Sequence, residues 1–354
     1  MRIASLSCSV LLFAALQLAV PPAPAFAQTG KAPKAADLVQ DGQLIDLQQP
    51  KYRQLFRELE QKYGFSQNEL RQIFQGQKIS RKVLELMDRP WEAKPYYQYS
   101  PLFVTEQNIR TGKAKLREHK ALLDRVEGQF GVNRETIVAI WAVETKYGTN
   151  QGSFDVLQTL NTLFDAYPRR SDFFREQLVD FLRLCKENGI DPHGIKGSYA
   201  GAFGQTQFIP SSFRSFAVSF DGDRKRDVWN SVPDVLASIA NYISKHGWVL
   251  DAPVYAELGP ELKDKRLREA MEKGWQKGRV PVEAVRAAAP GRTIPPSPGS
   301  RSLSIVGLEL DPQQSAQAFR YIAGYPNFQA ITHWNHSNRY AMAVTELAEA
   351  FKKP

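Results

Sequence analysis

Glu144 is a lone carboxylate at the end of an apolar run, Thr136 to Val143, and the polar turn residues Thr145 to Gly148 follow it. The periodicity predicts a helix over 134–147 that is apolar nearly all round, and such a helix is buried. Ile137, Ile140, Trp141 and Glu144 recur at i, i+3, i+4 and i+7, so the carboxylate shares a face with bulky apolar groups. A carboxylate in that setting loses solvation and its pKa rises. That is how a glutamate becomes a general acid near neutral pH. The helix alone leaves a plainer alternative open: position 144 is where the helix emerges into solvent, and Glu135 and Lys146 show that charge is tolerated nearby.

Three other stretches carry groups that could do chemistry. Residues 197–210 hold Gly197, Gly201 and Gly204 together with Ser198, Tyr199, Phe203 and Gln207. The glycines permit tight turns and close backbone approach. Flat aromatics and neutral hydrogen-bonding groups suit a sugar groove. A phosphate loop is excluded, because no Lys-Ser/Thr pair follows the glycines. Asp221, Asp223, Asp227 and Asp234 alternate at loop spacing, as in a calcium loop, but Arg224, Lys225 and Arg226 occupy its middle and no Glu closes it. A metal there competes with a solvated acidic-basic turn. The segment from Thr332 to Tyr340 is polar and aromatic; His333 and His336 have no acidic or cysteine neighbour to complete a metal site. No Gly-x-Ser-x-Gly nucleophile elbow occurs.

The elements that must position these groups are mainly helical. Helical patterns run through 52–87, with Ser66 and Ser80 as cap candidates, then 105–130, 153–167, 172–187, 232–246 and 334–351. Pro90, Pro95 and Pro101 interrupt them, with Trp91, Tyr96, Tyr97 and Tyr99 between, as a packing clamp or as part of a groove. Residues 261–277 read as a charged surface helix, 287–300 as irregular, and 303–310 as a strand, which gives a small mixed lobe near 250–330. Residues 1–27 have the form of a secretory signal: Arg2, an apolar stretch from Val10 to Val20, and Ala25-Phe26-Ala27 before the cut. Cys8 sits early in residues 1–27, after Ser5-Leu6-Ser7, and is read as part of the signal, not as a lipid anchor. Residues 28–50 are expected to be a flexible segment, and 51–351 a single catalytic domain.

Removing those 27 residues and their one base from 354 residues at +9 leaves 327 residues at +8, with Cys185 as the remaining cysteine. A lone thiol excludes an intramolecular disulfide framework, and no second apolar run suggests a membrane span. An exported basic chain suits an anionic polymer or surface; a net +8 is equally compatible with ordinary solubility charge. Export argues against nucleic acid as the partner.

Taken together, the segments resemble the lytic murein transglycosylase B family over about 52–351. The resemblance rests on Ala142 to Gly148, Tyr167 to Arg170, Gly197 to Ala202, Gln207 to Ser212, Ile239 to Ile243 with His246 to Trp248, and Ile331 to Ser337 with Tyr340 to Val344, all in the family's order. It implies a mainly α, lysozyme-like fold of the goose-type lysozyme superfamily, with a small β-containing lobe. It implies cleavage of the β-1,4 bond between N-acetylmuramic acid and N-acetylglucosamine in peptidoglycan, without water, leaving a 1,6-anhydromuramic end. By resemblance Glu144 is the catalytic acid/base, and Tyr99, Ser198, Gln207, Tyr242, Asn335 and Tyr340 hold the glycan. Trp334 stands where the family often has Tyr. Asp221, Asp223 and Asp234 fall on a metal loop of some members, which suggests a structural calcium, although the chemistry requires no cofactor. The implied setting is the periplasm of a Gram-negative bacterium, with glycan strands and other cell-wall enzymes as partners.

The residues agree with that chemistry. Ordinary glycosidases use two carboxylates, and the Glu144 helix and the Gly197 loop contain no second one. One Glu suffices if the substrate's own 6-hydroxyl attacks its C1, with a large proximity gain. Two alternatives remain at this level: a hydrolytic muramidase drawing on Asp155 or Asp165, and a glycan-binding scaffold that has lost turnover.

Overall fold

The computed structural model describes residues 34–88 and 94–354. The signal segment 1–27, Cys8, Pro90 and Trp91 lie outside the described residues. The chain is mainly helical with two small sheets, and it separates into two compact units, each assembled from discontinuous stretches.

One unit takes residues 34–88 and 149–211. Its helices include Pro50–Tyr63, Gln67–Phe74, Arg81–Met87, Val156–Ala166 and Ser171–Asn188, the last two packed on each other. Tyr52, Phe56, Phe74 and Phe164 form its aromatic centre, with Tyr52 and Phe164 ring centroids 5.0 Å apart. Ser66 starts its helix through a reciprocal capping box with Glu69, which satisfies two otherwise orphaned N–H groups. Ser80 makes no such side-chain cap; its own N–H donates to Thr162 Oγ1 at 3.0 Å. Two short strands, β1 (Phe154–Asp155) and β2 (Lys196–Gly197), pair antiparallel and set the entry to the glycine-rich loop.

The described part of the 28–50 segment departs from the flexible reading. Residues Ala35–Leu38 form a 3-10 turn with Ala35 and Ala36 buried, and Leu44 bridges to Lys78. Ile45 is buried as well. These buried side chains, the Leu44–Lys78 bridge and the Gly42 N–H bond to Ile79 O tie the stretch to the rest of its unit.

The other unit takes residues 94–148 and 212–354. Every residue from Thr136 to Thr145 of the helix Arg134–Thr145 is buried. The helices Asn338–Lys352, Glu106–Glu118 and Val232–Lys245 surround it. A four-stranded antiparallel sheet lies between residues 255 and 324. It comprises β3 (Tyr255–Gly259), β4 (Arg279–Val280), β5 (Leu303–Glu309) and β6 (Phe319–Gly324), in the order β3-β6-β5-β4. Its core, with Leu258, Leu267, Val285, Leu303, Ile305 and Tyr325, is a separate cluster. The stretch read as one surface helix over 261–277 is two short helices, Lys265–Glu272 and Gly274–Lys277, that bury Leu267, Ala270 and Trp275. The closing helix read over 334–351 begins at Asn338 and runs to Lys352, and a separate helix, Pro326–Asn335, precedes it: His336 turns left-handed (φ 48°) and Ser337 caps the second. Among the described residues no helix is long and apolar enough to cross a membrane.

Candidate active site

Glu144 sits one residue before the end of its helix and is 7 % exposed, while Thr145 after it is 1 % exposed. The helix has therefore not reached solvent at this point, which removes the plainer alternative. The chain then turns through three consecutive left-handed residues, Lys146 (φ 49°), Tyr147 (φ 60°) and Gly148 (φ 84°). Side chains rarely adopt that backbone region without compensation. Here Tyr147 Oη donates to Asn108 O at 2.6 Å, and Gly148 N donates to Thr145 Oγ1 at 3.0 Å. The tight turn ends the helix immediately after the carboxylate.

Tyr340 reaches Glu144 from the last helix. Ser337 Oγ accepts the Tyr340 N–H at 3.2 Å and sets the first turn of that helix, and Tyr340 Oη donates to Glu144 Oε1 at 2.6 Å. Burial, then the charge of Glu144, hold the Tyr340 phenol well above its usual range, so it serves as a hydrogen-bond donor. The phenols of Tyr99 and Tyr242 also act on it electrostatically. Three tyrosines thus converge with one carboxylate.

Each tyrosine is held by its own contacts. Tyr99 closes the short helix Tyr96–Tyr99 and is fully buried. Glu309 on β5 accepts the Tyr96 N–H at 3.0 Å and Arg339 Nε at 3.1 Å, so one carboxylate ties the Tyr99 helix to the residue preceding Tyr340. The Arg339 pairing holds the Glu309 carboxyl below its usual range against the effect of burial. This clamp has no signal in the residue pattern, because a lone Glu at a strand end has no periodic signature. Tyr242 Oη donates to His333 O at 2.9 Å. The Tyr242 ring stacks on His246 at 4.1 Å and meets Trp334 edge-on at 4.7 Å. Asn335 is buried, and its Oδ1 has no hydrogen-bond partner. Glu144, Tyr99, Tyr242, Asn335 and Tyr340 therefore all belong to one unit.

Ser198 and Gln207 belong to the other unit, where they organise the glycine loop. Ser198 Oγ accepts the N–H groups of Ala200 (3.1 Å) and Ala202 (2.9 Å). A Cβ on Gly197 would stand 2.1 Å from Ala202 O, so only glycine fits there. Gln207 is left-handed (φ 49°); its Nε2 donates to Gly204 O at 2.8 Å and Gln151 O at 3.1 Å, while its buried Oε1 has no partner. An orphaned buried acceptor costs about 1–3 kcal/mol, a cost that a ligand hydroxyl or amide would offset. Asp155 and Asp165, the alternative second carboxylates, have structural work in the same unit. Asp155 caps its helix by accepting Gln158 N at 2.9 Å, and Asp165 pairs with Lys51 at 2.7 Å.

The ligand atoms of Asp221, Asp223 and Asp234 lie within 4.8 Å of one another. Asp234 is fully buried and accepts Phe220 N (2.6 Å) and Asp227 N (2.8 Å). Burial nevertheless raises its carboxyl above the usual range, whereas the Ser231 hydroxyl lowers that of Asp221. Asp227 caps the following turn through Trp229 N and Asn230 N, and it stands outside the cluster.

A family model described as a transglycosylase SLT domain matches residues 48–349. Among curated proteins, the membrane-bound lytic murein transglycosylase B of Escherichia coli (strain K12) is 32% identical over 311 residues, covering 85% of this chain and 82% of that protein. Among solved structures, the E. coli lytic transglycosylase Slt35 in complex with calcium superposes with a TM-score of 0.74 at 32% identity, covering 89% of this chain and 96% of that one. SltB3 from Pseudomonas aeruginosa, in complex with NAG-NAM-pentapeptide, does so with a TM-score of 0.71 at 30% identity, covering 86% and 79%.

Proposed function

The chain belongs to the transglycosylase SLT family, and from that premise we propose that it is a peptidoglycan lytic transglycosylase with Glu144 as its single acid/base. It cleaves the β-1,4 bond between N-acetylmuramic acid and N-acetylglucosamine and leaves a 1,6-anhydromuramic end. The observation that carries the reading is the buried Glu144 carboxyl held at 2.6 Å by Tyr340 Oη, with both candidate second carboxylates engaged as a helix cap and an ion pair.

In the first step protonated Glu144 donates to the glycosidic oxygen as the C1–O bond breaks, and the 2-acetamido oxygen supports the cationic C1. The Tyr340 hydroxyl steadies the carboxylate so formed, since hydrogen bonds to a charged acceptor are the strong ones. In the second step Glu144 takes the proton of the muramoyl 6-hydroxyl as its oxygen bonds C1, and the residue returns to its starting form. Holding that hydroxyl in line makes the step intramolecular. Tyr99, Tyr242 and Asn335 bind the glycan, as do Ser198 and Gln207; the unpartnered Asn335 Oδ1 and Gln207 Oε1 are acceptors for sugar N–H or O–H groups.

The test is mass spectrometry of muropeptides released from purified sacculi. Anhydromuramic ends are expected; reducing muramic ends would replace this reading with the hydrolytic one. The setting is the periplasm of a Gram-negative bacterium, reached through cleavage of the 1–27 signal, with glycan strands as the substrate and other cell-wall enzymes as neighbours.

Asp221, Asp223 and Asp234 would hold a calcium ion in a structural role. The donor set fits: a buried carboxyl raised by desolvation is one that a divalent cation would keep ionised. Saturating calcium is expected to raise Tm by about 3–6 °C in a calorimetric scan, and Asp234→Asn to remove that gain. Cleavage of sacculi is expected to persist in EDTA. An unchanged Tm on adding calcium would reject the site.

A further inference from the structure

We propose that the catalytic unit carries an anion subsite, formed by Arg279 and Arg301 around His246 and His333, that takes a carboxylate of the peptide stem borne by the glycan. The inference rests on the lytic transglycosylase reading and deepens it.

The unit's charge is uneven. Residues 261–301 hold ten Lys/Arg and five Asp/Glu, a net +5 out of the chain's +9. Arg266 pairs with Asp264 and Arg286 with Glu283, while Arg268 and Arg292 make no ion pair among the described residues and lie away from the His246–His333 rings in every recorded contact. Arg279 and Arg301 have no carboxylate partner among the described residues. Arg279 Nε donates to Trp275 O at 3.4 Å, and Arg301 Nη1 donates to Gly247 O at 2.9 Å, beside His246. Backbone carbonyls fix both guanidinium groups in place and leave their charge unneutralised.

Trp275, whose carbonyl accepts from Arg279, and His246, which precedes Gly247, belong to one cluster of neutral or basic rings. The His333 ring lies 4.9 Å from His246, 4.7 Å from Trp275 and 6.3 Å from His336. Burial, and then His246, His336 and Arg279, the charged and titratable groups acting on it and all of one sign, hold its imidazole down to about 4. Fixed cations gathered about half-buried imidazoles, with no acid among them, are complementary to an anion.

Two points identify the occupant. The glycan backbone of peptidoglycan is neutral, because the muramic carboxyl is consumed in the amide that carries the peptide, so the substrate's charge near the groove is the carboxylates of the stem. The subsite is also joined to groove residues: Tyr242 Oη bonds His333 O, Tyr242 stacks on His246, and Trp334 and Asn335 follow His333 in the same helix. Arg301 and Arg279 would each donate to a carboxylate oxygen, and binding would favour protonation of His333.

The experiment uses the full mature chain and two glycan substrates: stem-bearing strands, and the same strands with stem carboxylates converted to methylamides. Wild type is expected to show a KM about tenfold lower for the native strands. The double variant Arg279→Gln with Arg301→Gln is expected to lose that difference through KM on native strands alone, with kcat on both substrates unchanged. Equal KM values of wild type for the two substrates would overturn the proposal, as would a variant matching wild type on native strands or losing equally on both. NMR titration of His333 in the wild-type chain is a second measure that needs no variant. Its midpoint is expected to rise by about one pH unit with a soluble disaccharide-peptide and to stay put with the methylamide form. A rise with inorganic phosphate and none with the disaccharide-peptide would assign the subsite to phosphate and overturn the stem assignment. A wild-type chain that cleaves neither substrate would defeat the transglycosylase reading instead, and the His333 titration would still report on the subsite.

Discussion

Glu144→Gln is expected to give a folded protein that sediments with sacculi as wild type does and releases muropeptides at least about a thousandfold more slowly. The substitution is nearly isosteric in a site 7 % exposed, and the amide oxygen can still accept from Tyr340, so thermal unfolding should move little. What it removes is a transferable proton, and in the proposed reaction the same carboxyl is used twice, first to protonate the leaving oxygen and then to deprotonate the 6-hydroxyl. A two-carboxylate glycosidase would retain a base or nucleophile after such a change; this one would retain neither role. Turbidity loss and mass spectrometry of the soluble products measure the rate, and co-sedimentation measures binding. A glutamine variant with wild-type lysis would sink the assignment of Glu144.

Tyr340→Phe is expected to lower kcat by about 10- to 100-fold and to leave KM within a factor of two or so. A hydrogen bond to a charged group contributes roughly 1.5–3 kcal/mol, and this one is a 2.6 Å contact from a buried phenol. Its value is greatest when Glu144 is ionised, that is, after the first proton transfer and during the second, so the loss belongs in kcat. The phenylalanine ring fills the same space, and stability should fall only by the lost bond. A variant with unchanged kcat would show that Tyr340 merely packs. A variant that lost affinity and kept kcat would make it a glycan contact alone.

Some of this could be read before any coordinates, and the reasons differ from residue to residue. Burial of the Glu144 helix was legible because apolar residues occupy all its faces. The mainly helical class was legible from the 3.6-residue periodicity of its long segments. The glycine loop announced itself by composition, although not the fact that Ser198 spends its hydroxyl on Ala200 and Ala202. The division between the final two helices was missed because Ser337 is a cap whose signal was masked by flanking polar residues that suit a helix equally well. The Glu309 clamp and the ion pair of Asp165 with Lys51 were invisible, since each joins residues far apart in sequence by a contact that leaves no local pattern. The same holds for the two units: their discontinuous membership follows from long-range packing, which periodicity does not encode.

The bond between Glu144 and Tyr340 spans 196 positions of the chain, and this has a consequence for biogenesis. Polypeptides are made from the amino end, so the carboxyl and its glycine-turned helix end exist well before the tyrosine that bonds to it. The helix carrying Tyr340 also covers one side of the Glu144 helix. Until residue 340 has been delivered and that helix has docked, the acid lacks its donor and an apolar face of its helix stays uncovered. In the proposed reaction, the contact that steadies Glu144 is thus the last part of the site to be made.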